Sequence, residues 1–210
     1  FRLSGILGVL MGLFCFALPN TPPSQGQSRS ATLEALWAIR MQPLITLFLL
    51  AVPVSCIHQF YFVHTAGFLG NLQTDAEGFI ASVNKIFGVG GGGLMTIGQM
   101  SEILVLALIP TLAKSLSRKT LLAIGLLAYA GRMALFSYAD SVGLGGIIAG
   151  VALHGLCFGC FIFVAFMIVD EETTDDSRAS AQSLFNLVIV GVGFIVGSKI
   201  ATQASQWATV

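Results

Sequence analysis

Charge is what this sequence lacks most. Its 210 residues include only ten basic and ten acidic ones, whereas a soluble chain of this length would carry about 50 charged residues. Hydrophobic residues make up 55% of the sequence, and its mean hydropathy is +0.87. Lysine, glutamate and proline are too scarce for a disordered chain, and a soluble globule of this composition would lack polar surface to face water. The composition therefore indicates a polytopic membrane protein.

The same scarcity excludes several classes of function. Because the formal net charge is zero, the chain lacks the basic character by which proteins bind nucleic acid. Cys157 and Cys160 form a lone C-x-x-C pair in an apolar stretch, without the second pair of ligands that a zinc site requires. The sequence contains neither H-E-x-x-H nor G-x-S-x-G. We therefore expect no metal, no cofactor and no enzymatic activity.

Long stretches without charge are what the sequence has in abundance. Each is long enough for a helix that crosses a hydrocarbon core about 30 Å thick. Two further apolar spans carry one charge each, Glu102 within 86–113 and Arg132 within 120–138. Backbone groups in lipid must be paired within their own segment, so the pattern predicts an all-α fold with six transmembrane helices. The four uncharged stretches are residues 3–28, 41–74, 141–169 and 179–198.

The loops predict an orientation and a boundary. The first, third and fifth loops together carry six basic residues and the opposite side three, which predicts that the odd-numbered loops are cytoplasmic. The first loop is long, rich in proline and polar residues, and includes a short helix predicted at 31–39. We interpret residues 1–18 as the last helix of an N-terminal bundle, 19–42 as a cytoplasmic linker, and 43–210 as a C-terminal bundle lacking its final helix.

Glu102 is the only acidic residue predicted deep in a span, and Gln99 shares its helix face. A carboxylate near mid-membrane costs at least about 2.5–3.5 kcal/mol on insertion scales. It is therefore expected to face a polar cavity, hold a proton or be paired. Arg132 is the candidate partner in a structural ion pair, since both residues lie at similar depth on a hairpin that turns near Leu116. A cavity-facing Glu102 and a Glu102–Arg132 pair can coexist.

Two further helices contribute polar and aromatic side chains. Gln59 and Phe62 lie on one face of the second span, where Gln59 either makes an interhelical hydrogen bond or contacts a ligand. His154, Phe158 and Phe161 form a stripe on the fifth span. Aromatic residues in membrane helices are commonly packing residues, but beside amides and a carboxylate they can form stacking walls for a flat polar ligand. Such a set of side chains suits a nucleoside or a sugar.

Glycine patterns predict close helix packing. Gly88–Gly93 formally contains G-x-G-x-x-G, but no strand precedes it, which excludes a dinucleotide-binding loop. Small residues four apart allow helices to approach closely. The pairs are Gly8 and Gly12, Gly155 and Gly159, and Gly193 and Gly197.

Five stretches of the sequence match one known family in order. They are Leu18–Pro23, Met95–Glu102 followed by Ile109 and Pro110, Leu121–Phe136, His154–Phe158, and Arg178–Gln182. Together they resemble the nucleoside:proton symporter family of the major facilitator superfamily. The resemblance extends over nearly the whole chain, with the stretch that contains Gln99 and Glu102 matching the eighth helix of that family.

The resemblance implies a fold of two six-helix bundles that hold the substrate between them near mid-membrane. This chain then corresponds to helices six to eleven of twelve. Gln59, Gln99, Glu102 and Phe158 are implied as its half of a nucleoside site, with Glu102 as the proton-coupling candidate. Characterised members have an acidic residue directly after the aromatic that matches Phe158. Gly159 stands there instead, which leaves substrate and coupling open.

The expected function is secondary active transport, by nucleoside:proton symport with alternating access. The expected partners are a small polar solute, a proton and the lipid bilayer, and the expected location is a bacterial cytoplasmic membrane. A monomer is expected. Alternatives are a carrier of sugars or other small metabolites with the same fold, and a membrane receptor or scaffold that transports nothing. Transport requires that Gln59, Gln99 and Glu102 face one water-filled cavity.

Overall fold

A computed structural model describes residues 2–20, 30–74, 76–89 and 93–208. The chain divides into two compact units, Phe1–Ser30 and Ala31–Val210. Helix α1 (Arg2–Cys15) is the described helix of the first unit. It is apolar and 14 residues long, which is shorter than the span predicted there.

The second unit is a bundle of α-helices. Five of its helices, α3 and α5 to α8, are long and apolar enough to cross a membrane, which confirms the predicted all-helical membrane fold. Helix α2 coincides with the short helix predicted at 31–39. The helices are α2 (Ala31–Ile39), α3 (Leu44–Gln73), α4 (Gly78–Phe87), α5 (Met95–Ser115), α6 (Arg118–Ser137), α7 (Ala139–Glu171) and α8 (Arg178–Trp207).

The predicted third span was wrong at its start. Residues from Ile86 onward were expected to begin it, but Ile86 belongs to the separate amphipathic helix α4, which buries Ile80 and Val83. This helix ends at Phe87, and Gly88 follows it with a φ of 88°, a conformation that favours glycine. The long helix α5 begins only at Met95. The centre of the glycine motif, residues 90–92, lies outside the described residues.

Glycines bring α7 against α5. A Cβ added at Gly155 would lie 2.4 Å from the backbone oxygen of Ser101, and one at Gly159 would lie 2.6 Å from a side-chain carbon of Val105. Real Cβ atoms do not approach other atoms so closely, so these positions require glycine for the observed packing. The same contact places His154, the neighbour of Gly155, beside the face of α5 that carries Glu102.

Glycines likewise bring α8 against α3. An added Cβ would lie 1.6 Å from Ser55 Oγ at Gly193 and 2.8 Å from the backbone oxygen of Cys56 at Gly197. The predicted close packing at these two glycines is therefore confirmed. Ser55 Oγ also donates a 2.6 Å hydrogen bond to the carbonyl of Ile189, within a π-helical turn of α8 over Leu187–Gly193.

Ion pairs gather at one end of the bundle. The Arg118 guanidinium, at the start of α6, donates two hydrogen bonds to the Glu171 carboxylate at the end of α7, with Nε 3.2 Å from Oε2. At the start of α8, Arg178 lies 3.2 Å from Asp170 and 2.9 Å from Asp175. The third and fifth predicted loops therefore lie at the same end. Which side of the membrane this end faces stays a prediction.

Candidate functional site

Glu102 lies beside a histidine within the bundle. Its Oε2 is 3.3 Å from His154 Nε2, and their side chains are 24% and 3% exposed. Glu102 projects from α5 one turn after Gly98, and a Cβ at Gly98 would lie 3.2 Å from His154 Cβ. This close approach of α5 and α7 allows the carboxylate to reach the imidazole. The result is a half-buried carboxyl group with a fully buried imidazole behind it.

Arg132 contacts the other nitrogen of the same imidazole. Its Nη1 lies 3.1 Å from His154 Nδ1, so His154 stands between the arginine and Glu102. The expected direct Glu102–Arg132 ion pair is wrong in this respect. Residues of similar depth on α5 and α6 are separated here by a side chain from α7, which packs against both helices. In place of the predicted pair, His154 contacts Glu102 on one side and Arg132 on the other.

Arg132 is fully buried, with none of its surface exposed. Its guanidinium carbon lies 3.9 Å from the ring centroid of Tyr61 and 5.1 Å from that of Tyr129. Aromatic faces attract a cation by their quadrupole, and more strongly where water is excluded. Among the described residues, its Nε and Nη2 atoms have no hydrogen-bond partner. Aromatic faces and one imidazole therefore replace the carboxylate that usually accompanies a buried arginine.

A second histidine stacks on the first. The His58 ring lies 5.5 Å from the His154 ring at an interplanar angle of 22°. Its Nδ1 is 2.8 Å from the hydroxyl oxygen of Tyr129. Tyr61 also stacks on His154, with ring centroids 5.3 Å apart. Side chains from α3 and α6 thus fix the plane of the His154 imidazole.

The predicted aromatic residues divide between this cluster and the core. Phe62 meets His154 edge-on at 5.6 Å, and Phe158 lies 6.4 Å from His58. Phe62 is 36% exposed and Phe158 is half-buried, so neither ring is enclosed within the core of the described bundle. Phe161 is 1% exposed and packs edge-on against Tyr129. Its position is that of a packing residue.

The two predicted amides have different surroundings. Gln99 is exposed and lies one turn before Glu102 on the same face of α5. Gln59 instead donates a 3.0 Å hydrogen bond to Ser198 Oγ on α8. The structure therefore places Gln99 near Glu102 and directs Gln59 toward the interface between α3 and α8. This contact is the interhelical hydrogen bond that the sequence left open as an alternative.

Sequence reasoning undervalued the histidines. The aromatic stripe predicted on the fifth span includes His154 but gives it no contact with a charged group. The structure makes His154 the centre of the cluster, because it contacts charged groups from two other helices. The signal in the sequence was the presence of two histidines in spans that must also bury one arginine and one glutamate.

An open groove elsewhere in the bundle has different chemistry. It has a volume of 690 Å³ and lies between α3, α6 and α8. Its walls are mainly aromatic and apolar, and they contain none of the predicted substrate residues. The surface around Glu102, Phe62 and Phe158 therefore remains the candidate site. The groove is lined by Phe60, Tyr61, His64, Thr65, Phe68, Met133, Phe136, Ser137, Ala204 and Ser205.

Comparison with known families gives a match over the full length of the chain. The sequence model of the family described as Nucleoside H+ symporter matches residues 1–210. The chain belongs to this family. The resemblance found in the sequence is thereby confirmed, and with it the assignment to a family of transporters and not of enzymes.

Individual relatives in this family come from Escherichia coli (strain K12). The chain is 29% identical over 203 residues to YegT, whose name marks nucleoside transport as a provisional assignment. It is 25% identical over 212 residues to xanthosine permease and 24% identical over 213 residues to nucleoside permease NupG. The matches cover 91%, 96% and 97% of this chain, but only 43%, 49% and 49% of the relatives. The chain therefore spans about half the length of these relatives.

A solved structure supports the fold assignment. The chain superposes on a crystal structure of a mutant of the nucleoside transporter NupG with a TM-score of 0.69 and 24% identity. The superposition covers 93% of this chain and 49% of that one. The protein is thus a multi-pass helical membrane protein with a fold like that of NupG. Its relatives named above are bacterial.

Proposed function

We propose that this chain is part of the C-terminal half of a nucleoside:proton symporter in a bacterial cytoplasmic membrane. The observation that carries the proposal is Glu102, a half-buried carboxyl group that contacts His154, the ring that Phe62 meets edge-on. In a family described as nucleoside H+ symporters, a carboxyl at this place is suited to bind both a proton and a substrate hydroxyl or amide.

The chemistry of this surface fits a nucleoside. Phe62 and Phe158 offer aromatic faces for a flat base, and base–aromatic stacking contributes about 1–3 kcal/mol per base where it has been measured in nucleic-acid binding proteins. Gln99 and Glu102 offer a donor and acceptors at the edge of the same surface. In an alternating-access transporter the second half of such a site comes from the other bundle, so these residues are proposed as one half of the site.

Helices α3 and α5 to α8 are proposed as helices seven to eleven of twelve, with α1 as helix six and residues 19–42 as the linker between bundles. This numbering follows from the order of the matched stretches and from the half-length match to the relatives. The protein is proposed to function as a monomer, with no cofactor.

Uptake of labelled uridine tests the proposal. The full-length protein is reconstituted in vesicles, and uptake is measured with and without an imposed pH gradient. We expect wild-type protein to accumulate uridine when the gradient is imposed. Glu102→Gln is expected to reduce gradient-driven accumulation at least tenfold while uridine exchange without a gradient is less affected.

Glu172→Gln is the matched control, because Glu172 is exposed at the end of α7. This variant is expected to behave like the wild type. Failure of the wild-type protein to transport uridine or any other nucleoside would contradict the nucleoside assignment. Undiminished accumulation in Glu102→Gln would remove Glu102 from the coupling step.

A further inference from the structure

Two π-helical turns, one in α7 and one in α8, direct aromatic side chains toward the same residue of α3. The turn in α7 spans Cys157–Phe163 and contains Phe158, and the turn in α8 spans Leu187–Gly193 and is followed directly by Phe194. Turns of this kind are rare and are frequently found at functional sites. The ring centroids of Phe158 and Phe194 each lie 6.4 Å from that of His58. The two irregular turns therefore converge on one histidine.

A third ring completes an aromatic cup around His58. Phe62, one turn later on α3, meets the imidazole edge-on with ring centroids 5.0 Å apart. The three rings of the cup reach the surface, since Phe62 is 36% exposed and Phe158 and Phe194 are half-buried. His58 itself is buried, and the His154 ring stacks on its other side. His58 is therefore a polar group set behind three apolar rings.

The contact with Tyr129 determines which nitrogen of His58 carries the imidazole proton. Nδ1 of His58 lies 2.8 Å from the Tyr129 hydroxyl oxygen, and this is the only hydrogen bond of that hydroxyl among the described residues. Because Tyr129 is buried, an O–H group that donated to nothing would be costly. The hydroxyl therefore donates and Nδ1 accepts. The proton of the imidazole lies on Nε2, which makes Nε2 a hydrogen-bond donor.

The Nε2 atom of His58 is unpaired but not enclosed. It has no hydrogen-bond partner in the described part of the chain, where the hydrogen bond of this imidazole is made by Nδ1. The enclosed side-chain atoms that lack a partner there are Nε and Nη2 of Arg132. Since Nε2 of His58 is not among them, it reaches the accessible surface. A fixed donor is therefore open to an acceptor from outside the bundle.

We propose that His58 is a substrate-binding residue whose Nε2–H donates a hydrogen bond to a carbonyl oxygen of a pyrimidine base held against the aromatic cup. This inference rests on the proposed function, in which the substrate is a nucleoside. A flat base can stack on the phenylalanine rings, and the edge of uracil carries two carbonyl oxygens. Because Tyr129 fixes the donor on Nε2, His58 favours an acceptor at this place and disfavours an amino group.

The hydrogen bond and the ring of His58 can be separated by two variants. A glutamine at this position can accept from Tyr129 with its amide oxygen and donate to a ligand with its amide nitrogen. A phenylalanine keeps a ring to stack on His154 but can do neither. His58→Gln and His58→Phe are therefore a matched pair in which only the second removes the donor. His64→Phe is the control, because His64 contacts the carbonyl of Ala201 on α8.

Equilibrium binding of labelled uridine to the purified full-length protein tests the proposal. We expect His58→Phe to raise the Kd about fivefold, the size of one lost hydrogen bond. His58→Gln and His64→Phe are expected to stay close to the wild type. An unchanged Kd in His58→Phe, or an equal rise in His58→Phe and His58→Gln, would overturn the proposal.

Substrate analogues identify the group that His58 contacts. In 2-thiouridine and 4-thiouridine one carbonyl oxygen is replaced by sulfur, a weaker acceptor. We expect one of the two to displace labelled uridine from the wild type less well than uridine does, and we expect this penalty to disappear in His58→Phe. The penalty for 2′-deoxyuridine is expected to be the same in both proteins. A thio penalty that is absent from the wild type, or that persists in His58→Phe, would overturn the contact with the base.

A double variant guards against misfolding, because His58→Phe leaves the Tyr129 hydroxyl without an acceptor. Replacing both partners of a hydrogen bond with apolar groups of the same shape can be nearly neutral for stability. His58→Phe combined with Tyr129→Phe is therefore expected to fold and to show the same rise in Kd. A wild-type Kd in this double variant would also overturn the proposal.

Failure of the proposed function has a different signature. If the wild type binds uridine with the expected changes in Kd but accumulates none in vesicles, the role of His58 in binding stands and the symport assignment fails. If the wild type accumulates uridine and His58→Phe binds it as tightly, the transport assignment stands and the role of His58 fails. A wild type that binds no nucleoside would overturn both.

Discussion

The backbone N–H of Gly155 donates a 3.0 Å hydrogen bond to Ser101 Oγ. This bond joins α7 to α5 at the level of the site, since His154 precedes Gly155 and Glu102 follows Ser101. A Cβ at Gly155 would collide with the Ser101 backbone. This hydrogen bond can therefore form only because residue 155 has no side chain. The spacing of the two helices at this point sets the distance between His154 and Glu102.

Gly155→Ala should therefore disrupt the site. The added methyl group must push α7 away from α5, because backbone atoms cannot move aside as a flexible side chain can. We expect at least a tenfold loss of gradient-driven uridine uptake in the full-length protein, corrected for its abundance in the membrane. Gly145→Ala is the control, since a Cβ at Gly145 has no neighbour within 4 Å among the described residues. Equal uptake in the two variants would contradict this reading of the contact.

Restoring an acidic residue at Gly159 should destabilise the protein. The position faces Val105, and a Cβ there would lie 2.6 Å from its side chain. Overpacking costs about 1–3 kcal/mol, and burying an unpaired carboxyl group adds to it. Gly159→Asp is expected to lower the unfolding temperature more than Gly159→Ala, as measured by thermal unfolding in detergent. A Gly159→Asp variant as stable as the wild type would show that this position has room for the acid found in characterised relatives.

The roles of Gln59 and Ser198 can be distinguished by the effects of their substitution on transport. Removing either side of their hydrogen bond is expected to cost about 0.5–1.5 kcal/mol of stability. If Gln59 also contacts substrate, as the resemblance implies, Gln59→Ala raises the apparent KM for uridine whereas Ser198→Ala does not. We expect this difference in KM. Matching KM values in the two variants would leave Gln59 with an interhelical role alone.

The predicted orientation can be measured at two exposed acidic residues. Glu172 lies at the end of the bundle that carries the ion pairs, and Glu77 lies just before α4. With the odd-numbered loops in the cytoplasm, a membrane-impermeant maleimide should label Glu77→Cys in intact cells. Glu172→Cys should be labelled only after the membrane is permeabilised, and the unsubstituted protein gives the background from native cysteines. Labelling of Glu172→Cys in intact cells would invert the topology.

The sequence determined the class of fold. A chain with so few charges must pair its backbone groups within helices. The predicted apolar spans place α3, α6 and α7 within a few residues of their observed bounds, whereas α8 continues to Trp207, beyond the uncharged stretch 179–198. The start of α5 could not be placed in this way, because the apolar residues of α4 continue the hydrophobic pattern. A backbone conformation at Gly88 ends α4, and hydropathy does not report it.

The sequence also identified Glu102 as unusual, since a lone carboxyl in an apolar helix needs a partner or a proton. It could not identify the partner. Depth along the helices made Arg132 a reasonable choice, but depth leaves open which side chain stands between two helices. Tertiary packing decided this point: Gly155 lets α7 approach α5 closely enough for His154 to lie between Glu102 and Arg132.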